Sequence, residues 1–310
     1  VSATPPPKRP ASARRFIRPL LSVVVLGAVA LWISRSANLD DFLRAVERMP
    51  AWALAVGYFI GGLNITIGAI RWRILMQAFG ARTLASRGEF LLATFVAQFY
   101  NTFVPGSFGG DLVRGYITRK SFDQAATGLY VVFFERFVGL SALCVVAAAG
   151  LLVGPRIVDY AVVGPWLLGA MLVLLVVVGL AAFTGRLARF RSLLPAIRAP
   201  RLLWPAFAIS LLGHLTNLVS FTVLATAMGL PLGLTDLALV VPLGLLATIV
   251  PIAMAGVGAR EATLVGLLSL LHIPTGDAVV FTLGFALVNI GLALTGGIIQ
   301  LVQPKVLRYH

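Results

Sequence analysis

The sequence predicts an all-α polytopic membrane protein of about six full spans plus two re-entrant helical hairpins, arranged as an inverted repeat. Three observations lead there. Hydrophobic residues make up 59% of the chain and charged residues only 12%, with a mean hydropathy of +0.96; soluble domains hold roughly 25% charged residues. Apolar stretches long enough to cross a bilayer recur along the 310 residues, about 20 residues being needed for each span. A short signature then interrupts two further apolar stretches: Val104, Pro105, Gly110 and Arg114 recur with identical spacing as Val250, Pro251, Gly256 and Arg260. A helix-stopping Pro, small residues and an Arg are costly near lipid. Paired interruptions in two halves of a membrane protein point to a substrate site built from broken helices.

Taken in order, the chain opens on a basic, Pro-rich tail over 1–18, followed by an apolar run from Leu20 to Ile33. An uncleaved first span is preferred over a signal peptide, because the Ala-x-Ala pattern at Ala28 to Ala30 lies inside the apolar run rather than after it. Further spans are expected over Ala51 to Ile70, Thr127 to Gly150, Ala161 to Phe183, Leu202 to Ala227 and Ala278 to Leu301. The stretches Phe90 to Val104 and Leu237 to Met254 each run into one of the repeated motifs. A single transmembrane domain over 19–303 results, with repeats 51–150 and 202–301 and a short tail over 304–310.

Basic residues set the orientation. They concentrate before Leu20, at Arg71, Arg73, Arg82 and Arg87, between Arg186 and Arg201, and at Lys305 and Arg308, whereas Asn38 to Pro50 and Met228 to Asp236 are poor in them or balanced by acid. By the positive-inside rule both termini are expected on the cytoplasmic side. Arg82 and Arg87 precede the first interrupted stretch and Arg114, Arg119 and Lys120 follow its break, so that stretch should dip in and return. The second has no basic outer flank and should enter from the other face.

The net charge of +14, from 25 Lys+Arg and 11 Asp+Glu, therefore speaks for topology and an anionic membrane surface. Nucleic-acid binding would want a solvated basic domain. The one cysteine, Cys144, excludes an intramolecular disulfide, and His214, His272 and His310 are scattered. No metal, no cofactor and no catalytic residue is expected.

Candidate substrate-binding residues cluster at the motifs. If a helix resumes after Gly109 and Gly110, and after Gly256 and Gly258, its first N–H groups carry partial positive charge suited to phosphate or carboxylate. Arg114 and Arg260 add full charges beside those starts, and Pro105 and Pro251 are the expected hinges. Against this stands simple neutralisation of Asp111 by Arg114 and of Glu261 by Arg260. Glu135 and Arg136 lie too deep in a span to be loop charges. Being neighbours they point about 100° apart, so each needs its own partner. Gln98, Asn101 and Thr102 share a helix face up to Pro105. His214, Asn217 and Asn289 read as packing residues, and Arg71 and Arg73 as interfacial anchors.

These residues also carry a resemblance. Asn101 through Val104-Pro105-Gly106 to Arg114, the Glu135-Arg136 pair and Pro251 to Glu261 together resemble the flippase-like transmembrane region of lysylphosphatidylglycerol synthases, over roughly Leu20 to Leu301. In two-part members, the resemblance implies, this region moves aminoacylated phospholipid between leaflets while a C-terminal soluble domain transfers lysine from charged tRNA. No such domain precedes His310, so aminoacyl transfer by this chain is not expected. The resemblance supports lipid handling more than any one lipid.

The leading expectation is a bacterial inner-membrane lipid translocase that takes an anionic or modified phospholipid or a polyprenyl-linked lipid. One alternative is a non-catalytic partner of a separately encoded synthase or glycosyltransferase. A second is a membrane-embedded transferase with Glu135, Glu261 or Asp111 as base. Homo-oligomerisation is left open.

Overall fold

The computed structural model describes residues 39–104, 108–153, 197–247, 253–254 and 257–304. The expected spans Leu20 to Ile33 and Ala161 to Phe183, and the motif residues Pro105, Pro251 and Gly256, lie outside them.

Nearly all described residues are helical. A short α1 (Leu39–Arg48) leads into the long α2 (Ala51–Ala78), the pair α3 (Arg87–Phe103) and α4 (Gly109–Ile117), and the long α5 (Thr127–Val153). The second half repeats the order: long α6 (Leu203–Ala227), the pair α7 (Leu234–Leu246) and α8 (Ala259–Leu270), and long α9 (Thr275–Val302). A two-residue β1 (Ala253–Met254) pairs antiparallel with β2 (Val257–Gly258) just before α8. Among the described residues four helices are long and apolar enough to cross a membrane, namely α2, α5, α6 and α9. Their outer faces expose large apolar side chains such as Phe59, Trp204 and Leu301, as lipid contact requires.

Local chemistry fixes the boundaries. Gly80 and Gly229 close α2 and α6 at φ +76° and +67°. In each case the following N–H reaches back, Ala81 to the Met76 carbonyl and Leu230 to the Ala225 carbonyl; this left-handed stop suits glycine best. At the start of α3, the Ser86 hydroxyl accepts the Glu89 N–H and the Glu89 carboxylate accepts the Ser86 N–H, a reciprocal cap. Val104 ends α3 in an extended conformation, φ −86° and ψ 125°, as expected of a residue that precedes proline.

The α3–α4 pair folds back on itself. A Cβ on Gly110 would lie 2.0 Å from the Ala97 carbonyl oxygen, and one on Gly109 2.7 Å from that of Tyr100, so this approach demands glycine. Its two outer ends are tied together, since the Arg82 N–H donates to the Ser121 carbonyl at 2.8 Å. The start of α6 joins the same end through Arg198 and Ala199, whose N–H groups both donate to the Ala78 carbonyl. Asp123 there takes ion pairs from Arg82 and Arg198. At the other end Arg48 pairs with Asp277 and Met49 meets Gly284. One apolar core surrounds each helical pair: Trp72, Phe90 and Ile117 in the first, Leu237, Leu264 and Phe281 in the second.

Packing between the halves is reciprocal. Helix α3 lies on α9 as α7 lies on α5, α2 on α9 as α6 on α5, and α2 and α6 cross each other. That crossing is antiparallel: Gly57 lies beside Ser220, Asn64 bonds Asn217 and Arg71 bonds Ser210. Two glycines with the signature spacing make close backbone contacts between the halves. A Cβ on Gly150 would fall 2.2 Å from the Ala238 carbonyl oxygen, and one on Gly296 1.9 Å from that of Phe95.

Candidate functional site

The deep charges in the first half form one chain of ion pairs across three helices. Glu135 is 2% exposed. Its Oε1 accepts from Arg71 Nη2 at 2.9 Å and Nε at 3.2 Å, and its Oε2 accepts from Arg114 Nη1 at 2.7 Å. Arg114 Nη2 donates to Asp111 Oδ1 at 2.7 Å, and Arg136 donates to the other Asp111 oxygen. Arg71 adds a bond from Nη1 to Ser210 Oγ at 3.2 Å. The guanidinium of Arg114 lies 5.3 Å from the Trp72 ring centre and that of Arg136 4.6 Å from Phe108, stacking that guanidinium favours. The 100° step between Glu135 and Arg136 thus gives them different partners, as their adjacency requires.

Arg71 departs from its expected role as an interfacial anchor. Helix α2 continues seven residues beyond it to Ala78, so Arg71 sits two turns inside the helix and turns inward to Glu135. Such burial of ionic groups holds only where every charge is answered.

In the second half, Arg260 occupies the first turn of α8. Its Nε donates to Glu261 Oε1 at 2.7 Å, and its guanidinium lies 5.0 Å from the Phe285 ring centre. Glu261 Oε2 accepts the Gly258 N–H at 2.7 Å. At the equivalent start of α4, the Gly110 N–H donates to Asn101 Oδ1 at 2.8 Å. The N–H groups of Gly110 and Gly258 at these helix starts are therefore not open donors. Side chains within the protein already cap them, because a buried donor without a partner is costly.

A cavity of about 260 Å³ lies between the two halves, and Arg114 and Arg260 both line it. Arg71 and Glu135 share its wall, together with the neutral polar side chains of Asn64, Gln98, Asn101, Asn217, Ser220 and Asn289. Asn64 Nδ2 donates to Asn217 Oδ1 at 2.7 Å, and Asn289 Nδ2 to the Phe285 carbonyl at 2.8 Å. Ser220 is 1% exposed, and its Oγ has no hydrogen-bond partner among the described residues. Asp111, Arg136, Glu261, Gly109, Gly110 and Gly258 lie outside the lining; their contacts hold the arginines and the helix starts in place. His214 bonds the Gly139 carbonyl through Nε2. Among the described residues no three His, Cys, Asp or Glu side chains are grouped to hold a metal.

Arg71, Asn64 and Ser220 were not singled out as lining residues from sequence. The signal was present in helical spacing: Gly57, Gly61, Asn64, Gly68 and Arg71 recur every three or four residues on α2, and Ser210, Gly213, Asn217 and Ser220 do so on α6. Small and polar residues at that period mark the faces on which two membrane helices meet.

Comparison with known proteins agrees with a membrane protein. A "UPF0104 membrane protein" of Methanothermobacter thermautotrophicus is 26% identical over 101 residues, a match covering 33% of this chain and 28% of that protein. The profile described as "Lysylphosphatidylglycerol synthase TM region" matches residues 20–297. With four apolar helices of spanning length and a family match over most of its length, the chain is a membrane protein that belongs to the lysylphosphatidylglycerol synthase TM region family.

Proposed function

We propose that this protein is a lipid translocase that moves an anionic or modified phospholipid, or a polyprenyl-linked lipid, between the leaflets of a bacterial inner membrane. The observation that carries the reading is that Arg114 and Arg260, the two arginines of the repeated signature, line one cavity between the halves. Arginine forks suit phosphate oxygens, and a hydrated cavity is where membrane proteins keep such charges. The volume lies below the roughly 300–1,000 Å³ of pockets that engulf whole drug-sized ligands. A head group enters and the acyl chains stay in the bilayer.

In this reading α3–α4 and α7–α8 are re-entrant hairpins from opposite faces, and the halves are an inverted repeat. The tied ends of the first pair, the antiparallel crossing of α2 and α6 and the reciprocal packing all support it. The end carrying Arg82, Arg119, Arg198 and Arg201 is cytoplasmic by the positive-inside rule, and both termini lie on that side. Transport proceeds as one half rocks against the other around the cavity. The carboxylates of Asp111, Glu135 and Glu261 are each engaged by arginine, which weighs against their use as the base of a transferase.

The test is leaflet exchange of fluorescent phosphatidylglycerol in liposomes holding the purified chain. Wild type is expected to exchange the lipid and Arg260→Ala to stop it while eluting and melting like wild type. A wild type that moves neither phosphatidylglycerol nor a polyprenyl phosphate overturns the reading in favour of a partner for a separate enzyme.

A further inference from the structure

We infer, on the reading that the cavity takes a lipid head group, that this head group is a monoanionic phosphodiester whose outer substituent is neutral and hydroxylated, a polyol or a sugar. An aminoacyl or other ammonium-bearing substituent does not fit. The argument starts from the acids. The wall presents three arginines, Arg71, Arg114 and Arg260, against the single carboxylate of Glu135. Both oxygens of Glu135 already receive arginine donors. The same is true of Asp111, just behind the wall, and Glu261 holds Arg260 with one oxygen and the Gly258 N–H with the other. An incoming ammonium has to displace a guanidinium from its acid and then sit among like charges, which opposes binding on both counts. A phosphodiester meets three guanidinium groups against one carboxylate there.

The remainder of the wall is amide and hydroxyl. Gln98 makes no hydrogen bond with the described residues through its side chain, the Asn64–Asn217 bond uses one donor and one acceptor of the two amides, and Ser220 Oγ is buried without a partner among the described residues. These groups donate and accept in equal measure, which is the pattern of an alcohol. A ligand hydroxyl beside Ser220 would remove the cost of its buried, unanswered polar atom. Sites built to bond a hydroxyl reject analogues that lack it.

The experiment is competitive lipid retention by the purified full chain, read by native mass spectrometry. Three lipids with the same acyl chains are compared: phosphatidylglycerol, phosphatidylethanol, which keeps the phosphodiester without hydroxyls, and lysyl-phosphatidylglycerol. Phosphatidylglycerol is expected to win over each of the others by about tenfold or more, equivalent to ~1.4 kcal/mol per tenfold. Gln98→Glu, which places in the wall a carboxylate outside the arginine network, should narrow its lead over the lysyl ester about tenfold. Retention of the lysyl ester equal to or above phosphatidylglycerol overturns the inference. So does equal retention of phosphatidylethanol, or no retention of any of the three. Leaflet exchange fails independently: an intact binding order without exchange sinks translocation alone, and a reversed order with exchange intact sinks only this head-group assignment.

Discussion

The two halves share an order of elements and a packing scheme, yet they secure their repeated arginine by different physics. In the first half Arg114 is held by Asp111 and by Glu135 on a neighbouring helix, which also binds Arg71 from a third. In the second half the positions with the same spacing as Asp111, Glu135 and Arg136 are Val257, Phe281 and Thr282. There the carboxylate that meets Arg260 is its neighbour in sequence, Glu261, and the surrounding core is aromatic: Phe221 stacks on Phe285 at 4.0 Å and tilts against Phe281 at 5.6 Å. Ion pairs that cross between helices fix their relative placement and break at a high cost, whereas a carboxylate on the same helix adds no ionic tie to a neighbouring one. The comparison leads to the expectation that the first half is the anchored frame of the cavity and that the arginine of the second is carried on the more mobile wall.

The largest expected effect follows from breaking the frame. Glu135→Ala leaves Arg71 and Arg114 without their shared acid, and removing one partner from a buried pair costs about 3–5 kcal/mol; thermal unfolding in detergent should show a collapse in stability. Glu261→Ala should cost less, because its pair lies within one helix. A larger loss for Glu261→Ala than for Glu135→Ala would reverse the assignment of frame and mobile wall.

Next come the glycines at which the halves touch. Gly150→Ala and Gly296→Ala each push a methyl group against a backbone carbonyl, an overpacking cost of about 1–3 kcal/mol. The two losses should be similar, since each glycine meets a backbone carbonyl of the other half at nearly the same distance. The same pair of melts that measures Glu135→Ala reads them, and an unaffected Gly296→Ala would argue against reciprocal packing. The smallest effect is expected at the crossing of α2 and α6: Asn217→Ala removes one interhelical amide bond, worth about 0.6 kcal/mol on average in membrane helices. Hydrogen exchange should also run faster in α8 than in α4, and equal protection would blunt the contrast between the halves.

Much of this was legible beforehand. Hydropathy located α2, α5, α6 and α9 because a spanning helix must be apolar over a fixed length, and the repeated Pro/Gly/Arg signature marked the two regions where a helix stops and another begins. Adjacency alone required separate partners for Glu135 and Arg136. The partner Arg71 was not legible: a helix that runs two turns past a basic residue reads like one that ends near it, and only the full length of α2 shows that the side chain is inside. Pairing of Gly110 with Asn101 and of Gly258 with Glu261 was equally hidden, since a donor at a helix start looks available until the facing side chain is placed. The glycines at 150 and 296 could have been found, as they keep the signature's spacing.

The most direct test of the central claim, that one cavity between the halves is the path of the head group, is to plug it. In a Cys144→Ser background, Gln98→Cys places a thiol in the cavity wall, and a bulky charged thiol reagent can then be attached in liposomes during leaflet exchange of fluorescent phosphatidylglycerol. Exchange should proceed before labelling and stop on labelling, while a control cysteine at the lipid-facing Phe59 leaves it running. Continued exchange with Gln98→Cys fully labelled would contradict the account, because the lipid would then be crossing somewhere other than between Arg114 and Arg260.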